Sequence, residues 1–306
     1  MKDIKVVYMG TPDFSLEPLK VLIEKTNVVL VVTKPDAFVG RKKVLTPSPV
    51  KKLALENNIP VVTPTSIKKE YQSVIDVEPD LIVTCAYGKI IPKEILDYPK
   101  YGCVNIHASL LPKYRGSAPI QWALINGEED TGITLMYMDE YMDTGDIIDK
   151  VTYKIKDSDD IGTLHEVLSK LGGEILDKNL DSLLNGNVNR EKQNDEEATY
   201  APMIERSMEE LEFNNNGKNI INKIRAFSPW PLTKTNVFGE EIKVIKAHFE
   251  KEKSEINKLY VDKNKLGIGV IDGIVYLDVI KPIGKNVMDI KNYLNGKKGN
   301  VLDGKE

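Results

Sequence analysis

Cysteine is nearly absent from this 306-residue chain, which has two, Cys85 and Cys103. Both lie in apolar, strand-like runs without Cys-x-x-Cys spacing, so buried free thiols are expected, with neither a disulfide framework nor a metal site. No apolar run approaches the ~20 residues of a membrane-spanning helix. The amino terminus enters a charged strand (Lys2, Asp3, Lys5) where a secretory signal would need an apolar stretch. A soluble cytoplasmic protein with no membrane partner is therefore expected. Glycine is missing where a dinucleotide would need it: after the first strand only Gly10 of a G-x-G-x-x-G fingerprint is offered, which argues against a nicotinamide oxidoreductase. Histidine is scarce as well, with His107, His165 and His248 the three in the chain. His165 sits in an amphipathic helical stretch and His248 in a strand-rich one, which leaves His107 as the candidate for chemistry.

The length favours two domains, each able to bury its own core. Short β-branched runs at 4–9, 28–33 and 81–86 alternate with helix-like stretches at 16–25, 50–57 and 68–77. That alternation predicts a doubly wound, mostly parallel α/β sheet. A strand at 102–107, a helix at 119–125, paired strands at 131–138 and 147–155 and a long amphipathic helix at 161–184 continue it. The first domain is thus expected over 1–185, a polar linker over 186–205 and a second domain over 206–306. In the last, a helix at 217–227 precedes several short strands, a pattern that fits a small β-barrel or a sandwich. Residues 206–306 carry 18 Lys+Arg against 14 Asp+Glu, while residues 1–205 carry 24 against 32. Confinement of the basic excess to one half is what an auxiliary RNA-contacting domain would show.

In a strand, residues i and i+2 share a face, so Asn105 and His107 present an amide and an imidazole together, just before Pro112 ends the segment. The imidazole can hold or release a proton near neutral pH, the amide can donate to an oxyanion, and Asp143 can bias the imidazole or collect a proton. These roles suit acyl transfer. Asp143-Thr144-Gly145-Asp146 taken alone serves a plain turn equally well. Ligands of such sheets bind beyond the carboxyl ends of the strands, where residues 9–11, 87–88 and 107 all fall.

The ordered set Asn105-x-His107, Ser109-Leu110-Leu111-Pro112 and Asp143-Thr144-Gly145-Asp146 resembles the folate-dependent formyltransferases. Within that family, Met9-Gly10-Thr11-Pro12-Asp13-Phe14, Lys34-Pro35-Asp36 with Gly40-Arg41-Lys42-Lys43, Pro47-Ser48-Pro49-Val50-Lys51 and Arg225-Ala226-Phe227-Ser228-Pro229-Trp230-Pro231 are similar to the branch that acts on methionyl-initiator tRNA. Two departures concern loops. Tyr141 stands where the family usually has glycine, and Ala37-Phe38-Val39 with Lys42 replaces a richer Pro/Gly pattern.

The resemblance implies a Rossmann-like catalytic domain and an OB-like second domain that contacts tRNA. It implies 10-formyltetrahydrofolate as co-substrate, no metal, and a catalytic set of Asn105, His107 and Asp143. Tyr87, Gly88, Ser109, Leu110, Leu111 and Pro112 would line the folate slot, and Phe14 the pocket for the acceptor amino acid. Arg41, Lys42 and Lys43 would lie in an inserted loop that meets the acceptor stem. A monomer is expected. The competing readings are a formyltransferase acting on an aminosugar nucleotide or glycinamide ribonucleotide, a hydrolase releasing formate, and a tRNA-binding module that has lost its chemistry.

Overall fold

The computed structural model describes residues 1–40 and 42–297. They form two compact units. The first comprises Met1–Pro119, Asp130–Lys154 and His165–Pro202; the second comprises Ile120–Glu129, Ile155–Leu164 and the chain from Met203.

In the first unit, β1 (Lys5–Gly10) is buried from Val6 onward and ends at Gly10, where a side chain would press on Ser15 and the Tyr8 ring at 2.9 Å. Helix α1 (Leu16–Lys25) turns Pro18, Leu19 and Leu22 inward, then β2 (Asn27–Val32) returns beside β1. A short pair follows, β3 (Ala37–Val39) and β4 (Val44–Thr46), joined antiparallel. Sequence reading expects a loop here. The run Phe38-Val39 opposite Val44-Leu45 instead has the β-branched and aromatic composition of strands, and Gly40 (φ +72°) and Lys43 (φ +47°) supply the turn. Helix α2 (Pro49–Glu56) starts on Ser48, whose Oγ accepts from Lys51 N at 3.0 Å, with Pro49 in the first turn.

Beyond β5 (Val61–Val62), the helix expected at 68–77 is reduced to α3 (Gln72–Ile75). Glu78 at φ +50° before Pro79 stops it, and the amides of Lys69 and Glu70 are spent on a turn to Ser66 O. β6 (Leu81–Cys85) is wholly buried; α4 (Lys93–Leu96), β7 (Cys103–His107) and the two-residue β8 (Arg115–Gly116) follow. After α5 (Pro119–Ile125) come β9 (Asp130–Tyr137), β10 (Ile147–Lys154), α6 (Ile161–Leu184) and β11 (Tyr200–Ala201), which pairs with β8.

The main sheet runs β10-β9-β7-β6-β1-β2-β5. Pairings from β7 through β5 are parallel, while β9 and β10 add antiparallel. This is the mostly parallel α/β sheet read from the sequence.

The second unit is built on α7 (Gly217–Phe227), whose inward stripe includes Ile220, Ile224 and Phe227. Strands β12 (Thr233–Val237), β13 (Glu240–Glu250), β14 (Leu259–Val261), β15 (Leu266–Val270) and β16 (Gly273–Pro282) form an antiparallel sheet ordered β12-β13-β16-β15-β14. β17 (Met288–Asp289) pairs with β16 and leads into α8 (Ile290–Asn295). Ile242, Val244, Leu266, Val270, Val275 and Leu277 join Ile220 and Ile224 of α7 in one core. It is an antiparallel half-barrel, the smaller β domain that the short strands indicate.

Candidate active site

Parallel pairing of β6 with β7 sets Thr84 opposite Asn105. Thr84 Oγ1 donates to Asn105 Oδ1 at 2.7 Å, so the amide's oxygen end is occupied, and among the described residues Nδ2 is left as its open donor end. His107 follows two residues later on the same face and is 6% exposed. Its Nε2–H donates to Tyr114 O at 2.9 Å, and Nδ1 faces Asp143 Oδ1 at 3.6 Å, an ion-pair distance. Both ring nitrogens thus point at acceptors.

Asp143 reaches His107 by an indirect route. β9 runs antiparallel to β7 with Thr134 opposite His107 and Tyr137 opposite Val104, so the chain leaves β9 at the far end from the imidazole. Residues 138–146 then fold back before β10 resumes with Ile147 opposite Met136. Asp139 braces this loop by accepting from Tyr141 N at 3.0 Å and from Thr144 Oγ1 at 2.7 Å. Gly145 sits against the Tyr137 carbonyl, where a side chain would collide. Asp143 itself has φ +57°, and its second oxygen accepts from Gly116 N at 2.8 Å.

The expected folate-slot residues follow adjacent strand ends, 87–88 after β6 and 109–112 after β7. Their side chains are unequally available. Tyr87 is packed among Ile67, Val74 and Ile91, and Leu111 against Met136 and Ile147. Ser109 is buried too, and its Oγ donates to Lys113 O at 2.6 Å. Gly88 (φ +71°) is exposed and Leu110 and Pro112 are half-buried, so these offer surface to a flat heterocycle. Thr11 Oγ1 and the Tyr87 hydroxyl are buried without a partner among the described residues, although buried polar atoms ordinarily have one. Burial, helped by Glu70, pushes the Tyr87 phenol up to about 12, so it remains a donor.

Phe14 is 5% exposed, edge-on to His165 with ring centroids 5.1 Å apart. Lys42 and Lys43 are exposed at the turn of the β3–β4 hairpin, and Arg41 lies outside the described residues. Sequence reasoning missed Thr84, the Tyr114 carbonyl, Arg115 and Gln193. The polar run around Gln193 carries no periodicity, and Arg115 reads as one more basic turn residue.

A free amide donor beside an imidazole–carboxylate pair can stabilise an oxyanion while a proton moves. A model of the formyl transferase family matches residues 4–180, and a model of the formyl transferase C-terminal domain matches residues 203–298. The chain belongs to the formyl transferase family. This formyl transferase is 44% identical to the methionyl-tRNA formyltransferase of Bacillus subtilis strain 168, with 97% of each chain covered. It is 43% identical to that of Listeria monocytogenes serotype 4a, again over 97% of each. Among solved structures, a sugar 3N-formyl transferase, WlaRD, crystallised in the presence of dTDP and 5-N-formyl-THF, superposes with a TM-score of 0.67 at 25% identity, covering 92% of this chain and 99% of its own. An N-formyltransferase from Helicobacter canadensis shares the fold at TM-score 0.70 and 22% identity, covering 91% and 99%.

Proposed function

We propose that this formyl transferase moves the formyl group of 10-formyltetrahydrofolate to the α-amino group of methionyl-initiator tRNA. The observation that carries this reading is the 44% identity to methionyl-tRNA formyltransferases across both domains. The site chemistry agrees with it. The neutral amine attacks the formyl carbon, a C–N bond forms, and negative charge gathers on the formyl oxygen. Asn105 Nδ2 and the Nδ1–H of His107 are the donors for that oxygen, because their other polar atoms are already engaged. As the bond to the folate nitrogen breaks, the amine loses one proton and the folate nitrogen gains one. Asp143, beside His107, takes the amine proton, and that same proton passes on to the folate nitrogen as it leaves, which regenerates the carboxylate.

Gly88, Leu110 and Pro112 flank the pterin, and Phe14 lies near the methionine side chain. The basic turn of the β3–β4 hairpin meets the acceptor stem, and the half-barrel adds affinity for tRNA. The test is to incubate the chain with 10-formyltetrahydrofolate and, separately, methionyl-initiator tRNA, free methionine and an aminosugar nucleotide. N-formylmethionyl-tRNA as the sole rapid product is expected. Faster formylation of the sugar would refute the acceptor assignment.

A further inference from the structure

The polar stretch between α6 and the second unit lies across the two loops that build the catalytic pair. Arg190 stacks its guanidinium over the Tyr137 ring at 3.7 Å. Glu191 and Ile147 exchange main-chain hydrogen bonds at 2.9 and 2.8 Å. Thr199 and Ala201 bond the main chain of residues 112–118 on the other side. Between these anchors stands Gln193. One amide nitrogen, Nε2, donates to Asp143 O and to Gly145 O, both at 2.8 Å. Its Oε1 accepts from Arg115 Nε at 3.0 Å and Nη2 at 2.9 Å. Arg115 is 3% exposed and also pairs with Asp195 at 2.7 Å.

This geometry fixes which way the amide faces. The guanidinium only donates, so it must face the amide oxygen, and the NH₂ end is forced toward the two loop carbonyls. One of those carbonyls belongs to Asp143 itself, held at φ +57°, a conformation that L residues seldom adopt and that surrounding contacts must impose; the other lies two residues on. We propose that Gln193, oriented by Arg115, is a positioning residue for formyl transfer: it clasps the loop so that the Asp143 carboxylate stays at His107. The inference rests on the function proposed above and on the catalytic role of Asp143.

Glutamate at 193 isolates the effect. Gln193→Glu keeps the pairing with Arg115 yet turns an oxygen toward both loop carbonyls, removing the two donors. Near-parental thermal midpoint and KM for 10-formyltetrahydrofolate are expected, with kcat lowered roughly 10–100-fold, the size of loss that a displacement of about 1 Å produces. The decisive comparison is made in an Asp143→Asn background. If Gln193 acts through Asp143, adding Gln193→Glu there costs less than about twofold, because the group it positions is already disabled. An equal fractional loss in both backgrounds, or parental kcat in the single variant, overturns the proposal.

Should Gln193→Glu fail to fold, Arg115→Lys keeps the charge but loses the fork and is expected to lower kcat in the same direction; parental kcat there likewise overturns it. Hydrogen exchange needs no substrate and separates this idea from the functional reading. Amides of 139–146 should exchange faster in Gln193→Glu while those of 103–107 do not. Unchanged exchange in 139–146 sinks the clasp even if the acceptor assignment holds, and an inactive parent sinks that assignment without touching the clasp.

Discussion

His107 is held from two sides, by the Tyr114 carbonyl on Nε2 and by Asp143 near Nδ1. The nitrogen left for a substrate is therefore the one that also faces the carboxylate, and the two residues act as a unit. His107→Ala is expected to lower kcat by roughly 10²–10³ with folate-analogue binding retained, the usual size of a lost oxyanion donor. Combining it with Asp143→Ala should cost much less than the product of the single losses, so multiplicative losses measured in single-turnover kinetics would argue for independent roles.

The thiols behave oppositely, as inert ballast in the sheet. Burial pushes Cys85 from an ordinary value near 9 up to about 12, and pushes Cys103 up as well. Because the folded value lies above the unfolded one, the stabilising effect is complete below about pH 9 and is lost as pH rises through the folded value. Neither thiol should react with a disulfide reagent at pH 8 until the chain unfolds, and unfolding midpoints should fall as pH climbs above 9. Fast native labelling would contradict this burial.

At the scale of elements, the β3–β4 hairpin combines exposed Phe38, Val39, Val44 and Leu45 with Lys42 and Lys43 at its turn. Replacing both lysines by alanine is expected to raise KM for methionyl-tRNA several-fold and to leave folate-analogue affinity unchanged. Losing two phosphate contacts should also flatten the salt dependence by roughly two counterions. An unaltered KM would make the hairpin turn a bystander.

The elements themselves were largely legible in the sequence. Helices α5, α6 and α7 run over the residues their apolar spacing indicates, and the strand ending at His107 is evident because its alternation puts Asn105 and His107 on one face. The shortened α3 and the hairpin were not, since left-handed Glu78 and the pairing of two three-residue strands are decided by tertiary context. The side chains proposed as catalytic, Asn105, His107 and Asp143, stand out in the sequence because their chemistry is distinctive. Gln193 was not, because an amide among polar neighbours acquires meaning only when Arg115, 78 residues away, defines its orientation.

Across the whole molecule, basic excess is confined to residues 206–306 while residues 1–205 are acidic. Such a distribution predicts opposite responses to salt for the two substrates. KM for methionyl-tRNA should climb steeply as salt rises from 50 to about 200 mM, because neutralising phosphates releases counterions, whereas a folate analogue should bind almost equally throughout. Parallel salt curves for both would remove the electrostatic role of the second half.

The division into units has a consequence for the order in which the protein is made. Ile120–Glu129 and Ile155–Leu164 are synthesised early but belong to the unit completed only after Met203. In the finished chain Gly127 lies against the Asn222 amide, Gly162 against Pro229, and Arg225 donates to the carbonyls of Asp159 and Lys156. A nascent chain that has emerged as far as the end of α6 therefore carries two segments, including Leu124, Ile161 and Leu164, that belong to a unit whose larger part has yet to emerge. The two early segments of the second unit meet those partners only once residues 222–229 have emerged, so ribosome pausing between residues 165 and 230 is expected to set how long their apolar side chains stay uncovered.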